Sequence, residues 1–304
     1  MVDICLIGTG GMMPLKDRWL TGLFVEVNGN AALIDCGEGA QIALSCSHLH
    51  ISRIRMIVIT HIHADHIAGL PGLLLSIGNS ARTEPVDIYV PKGSLKVLAG
   101  LLSVCGGLPY DVLLHELDTE NCGKFGENVI CPNSEFSYMP LRHRIDCLGY
   151  SFILKRKPVF DPNTADRLGV PVNMRSRLHN GEAVTLEDGR VILPQDVISA
   201  PREPIKITYT TDTLPFEELS AFAKNSDLFV CEGMYGDTDK KESMNKKRHM
   251  LMQDACRLAV DADVKRLWLT HYSPAMTCPK DYEETLKNIF PNTVISVDGE
   301  RISL

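Results

Sequence analysis

Met56-Ile57-Val58-Ile59-Thr60-His61-Ile62-His63-Ala64-Asp65-His66-Ile67-Ala68-Gly69-Leu70 is the stretch that decides how the rest of the chain is read. Its apolar, β-branched start reads as a buried strand. Within six residues of that strand's end the chain presents three imidazoles, His61, His63 and His66, and one carboxylate, Asp65. A lone histidine is more often structural than a ligand. Four such groups packed behind one strand point instead to a metal, because borderline-soft dications prefer imidazole and carboxylate donors and a turn can aim alternate side chains at one point.

One segment cannot complete two coordination spheres, so other strand ends must supply donors. The run Ile205–Thr211 leads into Asp212 and the run Lys265–Thr270 into His271, each just past a strand's carboxyl end, where open sheets build their sites. His143 lies in Pro140-Leu141-Arg142-His143-Arg144, ahead of an expected strand at Tyr150–Leu154.

Working outward, short β-branched runs bounded by Gly, Asn, Asp or Pro predict strands at Val2–Ile7, Gly22–Val27, Ala31–Ile34, Met56–Thr60, Val86–Val90, Tyr150–Leu154, Ile205–Thr210, Leu228–Cys231, Lys265–Thr270 and Thr293–Val297. Helix-period stretches fall at Ala40–Cys46, His66–Ile77, Ser94–Val104, Leu214–Ala223, Lys247–Ala262 and Asp281–Ile289. This mixture predicts a layered α/β protein, two sheets face to face with helices outside, rather than one doubly wound sheet. Residues 155 to 203 break the rhythm with Pro158, Pro162, Pro171, Pro194, Pro201 and their polar surroundings. Glu187-Asp188-Gly189 between two short runs predicts a hairpin there, so residues 155–203 are read as an arm inserted into a single catalytic domain spanning 1–304.

A hydrophobic fraction of 44% in 304 residues is enough for a sizeable core and excludes disorder as the default. The formal charge of −7 argues against non-specific coating of nucleic acid, though local basic clusters exist at Lys155-Arg156-Lys157, at Arg175 with Arg177, and from Lys240 to Arg248. Ten cysteines without a C-x-x-C pair look like the reduced thiols of a cytoplasmic protein. The N-terminal run is too short and acidic for a signal peptide, and no stretch of 18 apolar residues occurs, so no membrane partner is expected.

His61-Ile-His63-Ala-Asp65-His66 resembles the H-x-H-x-D-H signature of the metallo-β-lactamase superfamily, which implies an αββα sandwich binding one or two metals between its sheets. More narrowly, the chain resembles the ribonuclease Z family of tRNA 3′-processing endonucleases. The resemblance is carried by Leu6-Ile7-Gly8-Thr9-Gly10, Ile34-Asp35-Cys36-Gly37-Glu38-Gly39, Leu70-Pro71-Gly72-Leu73-Leu74, Tyr89-Val90-Pro91-Lys92-Gly93, Val184-Thr185-Leu186-Glu187-Asp188-Gly189-Arg190, Tyr209-Thr210-Thr211-Asp212-Thr213 and Thr270-His271-Tyr272-Ser273-Pro274, in the family's order and spacing. It implies that His61, His63 and His143 hold one divalent ion, that Asp65, His66 and His271 hold the other, and that Asp212 bridges them. The ions it implies are zinc, with manganese also admitted by these donors. It further implies that Asp65 orients or deprotonates the attacking water, that His249 protonates the leaving 3′ oxygen, and that Glu232 orients His249. The implied substrate is precursor tRNA and the implied assembly a homodimer in which one subunit's arm helps hold RNA cut by the other.

Some positions depart from the family pattern. Trp19 stands where an Asn is usual after Pro14, Lys16 and Arg18, Gly10-Gly11-Met12-Met13 is not Ser-rich, and Pro171-Val172-Asn173 lacks a Gly-Pro. They support an alternative expectation, a hydrolase using the same centre on a small cyclic or nucleotide-derived phosphodiester. A metal-holding RNA-binding protein without catalysis is disfavoured, since all seven ligand candidates and His249 are present.

Overall fold

The computed structural model describes residues 1–198, 202–236, 239 and 241–304; Pro201 of the expected arm and Lys240 of the basic cluster lie outside them. The chain divides into two compact units, one made of Met1–Ile153 with Lys206–Leu304 and the other of Leu154–Ile205. The strands are β1 (Asp3–Gly8), β2 (Gly22–Val27), β3 (Asn30–Ile34), β4 (Ile54–Val58), β5 (Val86–Pro91), β6 (Val112–Leu117), β7 (Gly123–Phe125), β8 (Ser134–Pro140), β9 (Leu148–Leu154), β10 (Val184–Thr185), β11 (Val191–Ile192), β12 (Ile205–Thr210), β13 (Leu228–Glu232), β14 (Leu267–Thr270), β15 (Thr293–Ile295) and β16 (Glu300–Ser303). The helices are α1 (Ala40–Cys46), α2 (Ala64–Ile67), α3 (Leu70–Gly78), α4 (Leu95–Leu102), α5 (Pro162–Arg167), α6 (Val172–His179), α7 (Glu217–Ala223), α8 (Lys241–Lys247), α9 (Met252–Asp261) and α10 (Glu283–Lys287).

In the larger unit two seven-stranded sheets run β16-β1-β2-β3-β4-β5-β6 and β15-β14-β13-β12-β9-β8-β7. The first is antiparallel from β16 to β3 and parallel from β3 to β6; in the second, β12 to β15 are parallel. Because strand side chains alternate, each central strand buries both faces. Ile7, Phe24, Leu33, Ile57 and Ile88 pack with Ala43, Leu44, Leu73, Leu74 and Leu98 of α1, α3 and α4. Phe229, Cys231, Leu267 and Leu269 pack with Leu219, Ala255, Ala259 and Leu286 of α7, α9 and α10. The sheets face each other through polar as well as apolar contacts: Tyr150 donates to the Ile59 carbonyl at 2.6 Å and Thr21 pairs with Thr270 at 2.7 Å. The expected αββα layering is therefore the architecture found.

Three expectations need correction. The helix predicted over His66–Ile77 is two helices, α2 and α3, because Pro71 lacks the N–H that a continuous helix would need and sits in the first turn of α3 instead. The helix predicted over Lys247–Ala262 begins only at Met252, since α8 ends at Lys247 and Arg248 adopts a left-handed backbone (φ 58°) that throws the chain out of the helix. Strands β6, β7, β8 and β16 were not predicted.

The Leu154–Ile205 unit is more than a hairpin. Asp161 caps α5 by accepting from Asn163 N and Thr164 N, with Pro162 at the first helical position, and Pro171 precedes α6. The predicted hairpin is β10 and β11, closed by Gly189 at φ 85°. Ala165, Val170, Leu178, Val184, Ile192 and Val197 form a small core of its own.

Candidate metal centre

Most of the candidate side chains follow the carboxyl end of a strand of the larger unit. Past β4 come Thr60 and His61, then His63 just before α2, with Asp65 and His66 inside it. Past β3 is Asp35, past β12 Asp212 and past β14 His271, all three with left-handed backbones (φ 62°, 33° and 59°). Non-glycine residues persist in that region only where their surroundings hold them, which is common at functional sites. β13 ends in Glu232, the link between β8 and β9 carries His143, and the link between α8 and α9 carries His249. The close approach of these turns is why Gly37 is glycine: a Cβ there would lie 2.2 Å from the Asp65 carbonyl oxygen.

The donors converge. Ligand atoms of His61, His63, His143 and Asp212 lie within 4.8 Å of one another, as do those of Asp65, His66 and His271. The Asp212 carboxylate reaches both groups, at 3.6 Å from His61 Nε2, 3.7 Å from His143 Nε2, 3.5 Å from His66 Nε2 and 3.0 Å from His271 Nε2. His249, with Asp212 and His271, forms a third such group.

Hydrogen bonds behind the rings fix which nitrogen faces inward. His66 Nδ1 donates to Asp35 Oδ2 (2.8 Å), His61 Nδ1 to Thr60 Oγ1 (3.1 Å) and His143 Nδ1 to the Arg248 carbonyl (3.2 Å). Their Nε2 lone pairs are left facing the centre, 2.9 Å from His63 Nδ1 for His61, 3.4 Å from the same atom for His143, and 3.3 Å from His271 Nε2 for His66. Ring nitrogens brought this close together in a buried site suit a cation lying among them. Asp212 Oδ1 is buried with no hydrogen-bond partner, which also fits a carboxylate that ligates metal. The donor set thus fits two dications with nitrogen and oxygen preferences.

The electrostatics run the same way. Burial pulls the imidazolium of His61 well down and that of His143 down to about 4, so both rings are neutral at ordinary pH, as a metal ligand must be. Burial opposes ionisation of Asp65 and Asp212, but the surrounding histidines outweigh it and hold both carboxyls well below the usual range. His66 and His249 are different. Burial opposes the His66 cation, but the Asp35 and Asp212 carboxylates beside it push it well above the ordinary range. His249 follows the same pattern. Burial works against its cation, yet the Glu232 carboxylate beside it, with a 3.0 Å bond from His249 Nδ1 to Glu232 Oε2, pushes it up to about 9. Glu232 is itself fully buried and takes the Thr213 amide on its other oxygen at 2.5 Å. His249 is 5% exposed, so it is no surface residue.

Asp35 is the residue that the sequence reading passed over as a site member. Fully buried, it accepts from Thr60 N (2.8 Å), Thr60 Oγ1 (3.0 Å), His66 Nδ1 and Tyr209 Oη (3.2 Å), tying both sheets to the ligand His66. Its signal was present: an Asp directly after an apolar strand, the same pattern that singled out Asp212. The Met12 amide is a second omission, donating to Asp65 Oδ2 at 2.7 Å.

The model of the family described as anti-Pycsar protein Apyc1 matches residues 2–175. Along its length the chain is 42% identical to a ribonuclease Z of Lachnospira eligens, covering 100% of this chain and 98% of the relative. It is 44% identical to a ribonuclease Z of Clostridium acetobutylicum over 98% and 96% of the two. Among solved structures, the short form of human tRNase Z matches with a TM-score of 0.70 at 23% identity, covering 99% of this chain and 98% of that one, a likeness of fold. A metallo-β-lactamase fold protein, YhfI of Bacillus subtilis, matches with a TM-score of 0.68 at 16% identity, covering 99% and 98%. The chain belongs to the family that the Apyc1 model describes and, along its full length, to the ribonuclease Z family.

Proposed function

We propose that this protein is a metal-dependent endoribonuclease that removes 3′ trailers from precursor tRNA, with zinc in the centre. The observation that carries the proposal is the buried convergence of seven donors beside an imidazolium held by Glu232. His61, His63 and His143 would hold one ion, Asp65, His66 and His271 the other, and Asp212 both. When bound, the pair lowers the pKa of a shared water and steadies charge on the attacked phosphoryl group. Asp65, aligned by the Met12 amide, orients that water and takes its proton. His249, whose Nδ1 is committed to Glu232, delivers a proton from Nε2 to the departing 3′ oxygen as the P–O3′ bond breaks. The products are a 3′-hydroxyl on the tRNA and a 5′-phosphate on the trailer.

The Leu154–Ile205 unit supports an RNA substrate through its arginines. Arg177 pairs with Glu182 and Arg190 with Asp188, all of them more than half exposed, and Arg175 pairs with Asp166. Exposed pairs contribute only about 0–1 kcal/mol, so a phosphate can displace those carboxylates. Within this reading the protein is a cytoplasmic homodimer and this unit is the arm that grips RNA. A smaller phosphodiester is the second reading, favoured by the departures at Trp19 and Met12-Met13 in the N-terminal loop and at Pro171-Val172-Asn173 in the arm.

The test is cleavage of a 3′-extended precursor tRNA by the zinc- or manganese-loaded protein, with Asp65→Ala as control and bis-p-nitrophenyl phosphate alongside. Cutting after the discriminator base, lost in the control, is expected. Hydrolysis of the small diester alone would sink the tRNA assignment and leave the metal site standing.

A further inference from the structure

Beyond the carboxyl ends of β13 and β14, the strands that deliver Glu232 and His271, lies an open-mouthed cavity of about 180 Å³. One wall is Met234 and Tyr235, two and three residues past Glu232. The other is the loop after His271, including Met276 and Thr277, and the turn bearing Asp281 and Tyr282. The Ser273 amide donates to the Met234 carbonyl at 3.3 Å, joining the walls. Arg18 braces the second wall by donating to the Met276 carbonyl at 3.0 Å.

The cavity adjoins the chemistry. The Tyr235 ring lies 6.3 Å from the His249 ring at 81°, and His249 in turn stacks 5.7 Å from His271. Its lining combines two tyrosine rings and two thioethers with Ser273, Thr277, Cys278 and the exposed Asp281, whose carboxylate also accepts from the Cys278 thiol. Aromatic faces stack bases regardless of identity, at about 1–3 kcal/mol per base, and polarizable Met side chains adapt to flat rings. Gly236 makes room for this arrangement: a Cβ there would lie 2.2 Å from the Tyr282 ring. A carboxylate accepts from an exocyclic amino group and has no donor for a carbonyl oxygen.

From this placement we infer that the cavity is a nucleobase subsite, taking the base adjoining the scissile phosphate and favouring amino-bearing bases over uracil through Asp281. The inference rests on the reading of this centre as a nucleic-acid phosphodiesterase.

The experiment is inhibition of bis-p-nitrophenyl phosphate hydrolysis by nucleoside monophosphates, using the metal-loaded full chain. The cytidine and uridine compounds are compared in both the 5′- and 3′-phosphate series. A hydrogen bond to a charged group contributes enough for about a tenfold preference, so cytidine should inhibit about tenfold more strongly in at least one series. Asp281→Ala should bring that ratio near one. Asp281→Asn, which keeps the volume and adds a donor for uracil, should level or reverse it. Equal inhibition by both bases in both series, or a cytidine preference untouched in Asp281→Ala, would overturn the subsite. A preference that holds and responds to Asp281 in a protein that leaves precursor tRNA uncut would keep the subsite and remove the tRNA reading.

Discussion

Replacing Glu232 with Gln tests the general-acid assignment most directly. Glu232 Oε1 accepts the Thr213 amide and Oε2 accepts His249 Nδ1–H. A glutamine has only one acceptor oxygen, so its NH2 must face one of these two donors. His249 is pushed up to about 9 against its own burial chiefly by this carboxylate. A hydrogen bond to a charged partner contributes about 1.5–3 kcal/mol, and one pKa unit is about 1.36 kcal/mol, so the imidazolium should fall by about one to two units in Glu232→Gln. Bound cations lower its absolute midpoint in both proteins; the difference between them remains. Because the protonated form is the active one, the alkaline limb of kcat for precursor tRNA should move to lower pH by that amount. Above the wild-type limb the rate should drop by about 10- to 100-fold, one factor of ten for each unit. With bis-p-nitrophenyl phosphate, whose leaving group departs without a proton, the drop should be several-fold smaller. The assay is a pair of pH–rate profiles, one per substrate, for wild type and variant. An unmoved alkaline limb, or equal losses on both substrates, would refute the role of His249 as proton donor and of Glu232 as its positioning residue. The raised imidazolium also has a stability consequence. A group whose folded pKa is raised adds stability that is whole below its unfolded value, about 6.5, and in the metal-free protein that contribution fades as pH climbs towards 9.

Asp35→Ala should destabilise the protein by about 3–5 kcal/mol, because it leaves buried donors from Thr60, His66 and Tyr209 without their acceptor; urea unfolding measures this, and a loss under 1 kcal/mol would contradict it. The same variant should bind metal at least tenfold more weakly, since His66 loses the bond that fixes its ring, as read by metal analysis after dialysis. Removing metal with a chelator should abolish hydrolysis and lower the thermal midpoint, with both restored by zinc or manganese; a chelated protein that kept its midpoint would argue against a buried cation pair. Leu178→Ala, in the core of the Leu154–Ile205 unit, should cost about 2–5 kcal/mol locally. Limited proteolysis should then cut within 154–205 first, and hydrolysis of bis-p-nitrophenyl phosphate should continue.

The metal-bearing stretch was legible because its donors are contiguous and follow an unmistakable strand. Asp212 and His271 were legible as strand-end donors. Their convergence was not, since residues from strands far apart in sequence meet only when two sheets dock. β6 escaped because Val112-Leu113-Leu114-His115-Glu116-Leu117 has a single β-branched residue and lies half-exposed at a sheet edge. β8 did carry an alternating burial pattern in Ser134–Tyr138 that a stricter period-two reading would find. In the inserted unit, prolines were read as turn punctuation, whereas Asp161-Pro162 and Pro171-Val172 open helices. Arg248 gave no warning of its left-handed backbone; that conformation is held by contacts such as its bond to the His143 carbonyl at 2.5 Å.

The insertion leaves the larger unit from β9 and returns on β12, and these two strands are neighbours in one sheet, linked by Ser151 and Thr208 at 2.7 Å. Neighbouring strands lie about 4.8 Å apart, so the two ends of the excursion open side by side, like a socket. Whatever is plugged in there, long or short, leaves the hydrogen-bonded ladder beneath it intact. None of the seven metal-ligand candidates lies between 154 and 205. A lineage can therefore exchange the whole excursion while inheriting every candidate ligand unchanged.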